Sequence, residues 1–284
     1  MDNLTLKSLS QIFSPSFFKR IVVFNDTSTL DYKIRKLVSD KENKTYGEII
    51  SHIYSLLEKN YKSEYIYKNT LLIKNLLNKY SLKNTILLNE FRIENSIADF
   101  ILLNGEVKLF EIKTDLDNFD KLEKQINDYR KFATKVYIVV SSKNLIKTVN
   151  LFENSKIGII EFTNRNSVKV FKEAEEDKSY LCHETIFKTL RKKEYTEIIK
   201  KHFGTLPNVP NTLIYRECLA LSKTLEIELF HELAFNKLKE RNIKYPEKLT
   251  SKEVPFELKH ICYSLNLNEK GYNNLSRLLN ANFC

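Results

Sequence analysis

One stretch constrains this 284-residue chain more than any other: SIADFILLNGEVKLFEIKTDLD, which begins at Ser96. Two apolar runs are divided by Asn104-Gly105, a dipeptide that readily adopts the positive φ angles of a tight hairpin turn. With Val107 to Lys113 as a strand, alternation sends Phe110 and Ile112 to one face and Glu111 and Lys113 to the other. Charges placed in an apolar strand are costly unless they are paired, solvated or bound to a metal. A two-residue turn pairs positions whose numbers sum to about 209. Asp99 then falls opposite roughly residue 110, next to Glu111. Two carboxylates and a lysine thus meet near one end of the hairpin. That set suits magnesium or manganese, which take carboxylate, water and phosphate oxygens. A metal held there activates water and polarises a phosphodiester. An isolated Glu-x-Lys would read as an ordinary ion pair; the Asp on the preceding strand is what changes the reading.

The surrounding pattern is α/β. Residues 1–45 mix short apolar clusters with polar breaks, Pro15 interrupting the first, and read as short helices. From about Tyr46 to Leu82, apolar residues step by three and four, which predicts helix. Ile86–Ile93, Ile97–Leu103 and Val107–Thr114 read as strands. An amphipathic helix follows through Phe119, Leu122, Ile126, Tyr129 and Ala133, with Asp117 or Asn118 as its cap. Then come a strand at Val136–Val140, a helix around Leu145–Phe152, and strands at Ile157–Phe162 and Val168–Phe171. From about Lys178 the pattern is helical, with Phe187–Lys201 and Leu213–Leu238 the longest candidates and shorter helices after Pro255 and Lys270. The expected organisation is an N-terminal helical extension (1–45), a core (46–177) and a helical C-terminal unit (178–284).

Composition narrows the function. With 46 Lys+Arg against 36 Asp+Glu, the formal charge is +10, which favours a polyanionic partner such as nucleic acid. Five glycines leave no room for a Gly-rich phosphate loop. No apolar run approaches the roughly 18–20 residues of a membrane span, and the N-terminus lacks a secretory pattern, so a soluble cytoplasmic protein without a membrane partner is expected. Cys182, Cys218, Cys262 and Cys284 form no C-x-x-C pair, and Cys182-His183 reads as ordinary packing rather than two metal ligands.

Asp99, eleven intervening residues and Glu111-Ile112-Lys113 resemble the motif of the PD-(D/E)XK nuclease superfamily, the restriction-endonuclease-like fold. The order helix, three strands, helix, strand is the core order of that fold. The strings EYIYKNT (64–70), NEFRIENSIADFILLNG (89–105), EIKTDLDNFDKLEKQINDYRKF (111–132) and LRKKEY (190–195) resemble a largely uncharacterised bacterial and phage family within it. Where that superfamily carries a proline before the metal-binding aspartate, this chain has Ala98. The resemblance implies a mixed sheet flanked by helices, with Asp99 and Glu111 binding Mg²⁺ or Mn²⁺ and Lys113 as the catalytic lysine. It also implies Gln125 beside the active site and one further acid, for which Glu64 and Glu90 compete.

The function implied is a metal-dependent DNA endonuclease in repair, restriction or phage–host conflict, leaving 5′-phosphate and 3′-hydroxyl ends. An RNase, or a catalytically silent nucleic-acid-binding or regulatory protein on the same fold, is the alternative. Related nucleases often pair to cut both strands, which admits a homodimer. Arg92 and the run Arg191-Lys192-Lys193 are candidate phosphate contacts; Lys200-Lys201-His202 and Lys237 to Arg241 are further basic clusters, with solvated helix faces as the competing explanation.

Overall fold

A computed structural model describes residues 1–80, 85–241 and 243–283. The expected helix end at Leu82 and the thiol of Cys284 lie outside these residues. The chain is α/β, built around a six-stranded mixed sheet in the order β1 to β6. The strands are β1 (Ile86–Ile93), β2 (Ser96–Leu103), β3 (Val107–Lys113), β4 (Lys135–Ser141), β5 (Gly158–Phe162) and β6 (Val168–Lys172). β1, β2 and β3 form an antiparallel meander, and β3, β4 and β5 run parallel. The parallel pairs need crossovers, which the helices Leu122–Arg130 and Leu145–Leu151 supply. All six strands match the apolar runs of the sequence to within two residues.

The hairpin between β2 and β3 corrects the expected register. Its ladder pairs Leu103 with Val107 and Phe100 with Phe110, so three residues form the turn and Gly105 alone adopts positive φ, 72°. That moves the pairing by one position. A one-residue shift exchanges the faces of a strand, so Asp99 comes level with Glu111 rather than with Phe110.

The chain divides into two compact units. One comprises Met1–Lys79, Arg165–Val168 and Ile243–Cys284; the other comprises Tyr80–Asn164 and Lys169–Asn242. The division does not follow the linear boundaries at 45 and 177. In the helical unit, the chain ends pack together: Glu269–Asn280 contacts both Pro15–Phe24 and Tyr46–Asn60. A Cβ on Gly47 would lie 2.8 Å from the Leu279 carbonyl, so that approach requires glycine. The helix expected to open the nuclease core therefore belongs with the termini. The helical stretch from residue 178 is likewise shared between the two units.

In the sheet unit, one face of the sheet buries Ile101, Leu103, Leu109, Ile138 and Val140 against Leu122, Ile126 and Tyr129 and against Phe187 and Phe230 from later helices. Two long helices expected there are each broken. His183–Thr189 and Lys192–Phe203 replace the first, and Ile214–Ser222 and Ile227–Lys239 the second. The second break is held by the Leu225 carbonyl, 2.9 Å from His183 Nε2. Among the described residues no helix is long and apolar enough to cross a membrane.

Candidate functional site

Glu111 continues the core face of β3 beyond Leu109 and is only 3% exposed. Burial raises its carboxyl pKa above the usual range, against the downward pull of Lys113, Tyr129 and Gln125. Those three side chains form its cage. Lys113 Nζ lies 3.0 Å from Glu111 Oε1 and donates to Gln125 Oε1 at 2.8 Å. Gln125 Nε2 donates to Glu111 Oε1 at 2.7 Å, closing a ring of lysine, glutamine and glutamate. The Tyr129 hydroxyl lies 2.8 Å from both Glu111 Oε2 and the Ile97 carbonyl. Its pKa is raised first by burial, then by Glu111, with Asp99 adding a smaller push.

Asp99 stands on β2 and accepts the N–H of Ile112 on Oδ2 at 2.7 Å. Its charge is thereby placed beside the strand carrying Glu111 and Lys113. Oxygen ligands for a cation are thus few and hard: two carboxylates on neighbouring strands. Among the described residues no group of three or more His, Cys, Asp or Glu side chains forms a closed metal cage. Two carboxylates with the other positions left to water and phosphate oxygens is a donor set that suits magnesium.

The remaining expected residues separate clearly. Glu90 falls between the pairs Asn89–Phe100 and Phe91–Ala98, level with Asp99. It breaks the ladder there because its backbone is left-handed, φ 50°, a conformation costly for a residue with a Cβ. Glu64 opens the helix Glu64–Thr70 in the helical unit and pairs with Lys68 at 2.6 Å. Arg92 is exposed on β1 two residues beyond Glu90. Arg191, Lys192 and Lys193 are exposed at the start of Lys192–Phe203, where Lys192 bonds Asn211 and Lys193 approaches Glu197 at 3.9 Å.

Two expectations fail. Asp117 does not cap the helix, which starts at Leu122; its carboxylate accepts the Thr114 N–H and hydroxyl, both at 2.8 Å, and so fixes the turn leaving Lys113. The basic run 237–241 is not a row of open cations. Lys237 pairs with Glu197 at 2.8 Å, and Arg241 is clamped by Glu194 in a largely buried pair. The member of this cluster that pattern reading misses is Tyr129. It occupies the apolar stripe with Leu122 and Ile126, and only its position four residues after Gln125 marks it as sharing that side chain's face.

The fold and site define a mixed-sheet α/β protein carrying a carboxylate–lysine–glutamine cluster at the start of its parallel segment. The chain belongs to the family of bacteriophage P4 protein cII, whose profile matches residues 57–258 and so spans the whole cluster. Protein cII of Enterobacteria phage P4 is 28% identical over 141 residues, covering 49% of this chain and 52% of that protein. The chain thus spans about half the length of this curated relative. Among solved structures, SPO1766, a protein of unknown function from Silicibacter pomeroyi, is 16% identical, with 35% of this chain and 65% of that chain covered. Its TM-score of 0.28 is too low to bear on the fold.

Proposed function

We propose that the chain is a metal-dependent DNA endonuclease with a restriction-endonuclease-like core. The observation that carries this reading is the ring of Lys113, Gln125 and Glu111 with Asp99 on the adjoining strand. Asp99 and Glu111 would hold Mg²⁺ or Mn²⁺, which when bound supplies a Lewis acid for a phosphodiester and an acidified water. The chain's own residues do the rest. Lys113, aimed by Gln125, presents an ammonium to a water or a phosphate oxygen. Tyr129 and Gln125 hold the Glu111 carboxylate in one orientation as ligand. Glu90, held at a costly backbone angle level with Asp99, is the stronger of the two candidates for the additional acid. A nucleic-acid substrate is supported by the net charge of +10.

A catalytically silent nucleic-acid-binding protein is the second reading. The observation favouring it is that Glu111 already accepts hydrogen bonds from three neighbours. Supercoiled plasmid and branched DNA incubated with Mg²⁺, Mn²⁺ or EDTA separate the two. Metal-dependent nicks with 5′-phosphate ends are expected. Tight binding without cutting under any metal would replace the first reading with the second.

A further inference from the structure

The positive charge is unevenly distributed. The helical unit carries 20 Lys and Arg against 12 Asp and Glu, whereas the sheet unit carries 26 against 24. The surplus therefore lies largely outside the unit that holds Asp99, Glu111 and Lys113.

Within the helical unit, Pro15–Phe24 and Ser28–Leu37 are joined by three residues, and Asn25 ends the first helix in the left-handed region at φ 56°. The second helix buries Leu30, Lys33 and Ile34. Lys33 fixes its rotation: Nζ donates to the carbonyl and hydroxyl of Ser8, each at 2.7 Å, and to Gln11 Oε1 at 3.1 Å. The other face presents Tyr32, Arg35 and Lys36 to solvent. Tyr32 is 60% exposed, with Lys36 Nζ 5.5 Å from its ring centroid and donating to its hydroxyl at 3.2 Å. The acid of this helix, Asp31, is engaged by the hydroxyls of Thr27 at 2.9 Å and Tyr46 at 2.7 Å.

A solvent-facing aromatic ring with Lys36 beside it, and Arg35 exposed on the same helix with its guanidinium 5.4 Å from the Phe283 ring centroid, matches a polyanion that also offers π-faces, which is the chemistry of nucleic acid. An acidic protein would answer the cations but not the ring. We infer that the Tyr32–Arg35–Lys36 face is a nucleic-acid contact surface separate from the carboxylate–lysine site. The inference rests on the chain acting on nucleic acid. Its contacts are to phosphate and to exposed bases, so they add affinity without reading sequence.

The test measures binding of the full chain to labelled DNA in EDTA across a salt series. Arg35→Glu combined with Lys36→Glu should weaken binding about tenfold or more and lower the log–log salt slope by about two. Tyr32→Ala should weaken it several-fold without changing the slope. Lys156→Glu with Lys169→Glu, the same charge change in the sheet unit, should cost under about threefold. Lys36→Gln, with a slope change of about one, serves if the double variant loses its thermal transition. Wild-type affinity and slope in the helical-unit variants, or an equal loss in the sheet-unit pair, would overturn the inference. Wild type that binds no nucleic acid would overturn both this and the proposed function. Binding that responds as expected but never leads to cleavage would sink the nuclease reading alone.

Discussion

The Tyr129 hydroxyl and Glu111 Oε2 lie 2.8 Å apart, tying the helix Leu122–Arg130 to the strand that bears the candidate site. Tyr129→Phe keeps the ring and removes this donor from a buried carboxylate. The expected cost is about 1–2 kcal/mol, read from urea denaturation. With one stabilising hydrogen bond gone, the Glu111 carboxyl rises further, so the acid limb of any pH–cleavage profile shifts upward.

Glu111 also leaves a mark on stability. Its folded pKa is raised, chiefly by burial. Between the ordinary carboxylate value and that raised value, the folded chain keeps a proton that the unfolded chain has released. The contribution is therefore complete below the unfolded pKa and is lost as pH rises through the folded pKa. Glu111→Gln should remove this component, flattening the fall in unfolding free energy by up to about 1.4 kcal/mol per pH unit. Identical pH slopes for the two proteins would exclude Glu111 as its source.

Glu90 holds φ at 50° on the strand beside Asp99. Glu90→Gly relieves that backbone and should stabilise the fold by about 1 kcal/mol, while cleavage falls. Glu90→Val, whose branched side chain fits this region worst, should do the opposite to stability. A thermal melt that drops for Glu90→Gly would show that its side-chain contacts outweigh the strain.

Arg241 and Glu194 form a pair with side chains 15% and 13% exposed. Arg241→Ala strands the carboxylate and should cost about 3 kcal/mol. DNA affinity, compared at a temperature where both proteins are folded, should hardly change. A strong loss of affinity without a loss of stability would restore Arg241 as a phosphate contact.

The strands were legible because each is a short apolar run bounded by turn residues, as Asn104-Gly105 bounds β2 and β3. The register was not, because Asn-Gly fits both a two-residue and a three-residue turn, and only the ladder from Leu103 to Val107 decides. Asp99, Glu111, Lys113 and Gln125 were legible as polar residues in apolar settings. Tyr129 was hidden because one side chain serves both core and site. The breaks after Thr189 and Ser222 were missed because tertiary contacts such as His183 to the Leu225 carbonyl set them. The grouping of both chain ends into one unit depends on contacts like Gly47 against Leu279, which no local pattern encodes.

The most direct measurement is plasmid nicking by wild type and Lys113→Ala, purified in parallel, with Mg²⁺ or EDTA. Lys113 is the hub of the ring, bonded to Gln125 and paired with Glu111. The account predicts nicking by wild type in Mg²⁺ only, reduced at least about a hundredfold in Lys113→Ala. Nicking that persists undiminished in Lys113→Ala, or in EDTA, would contradict it.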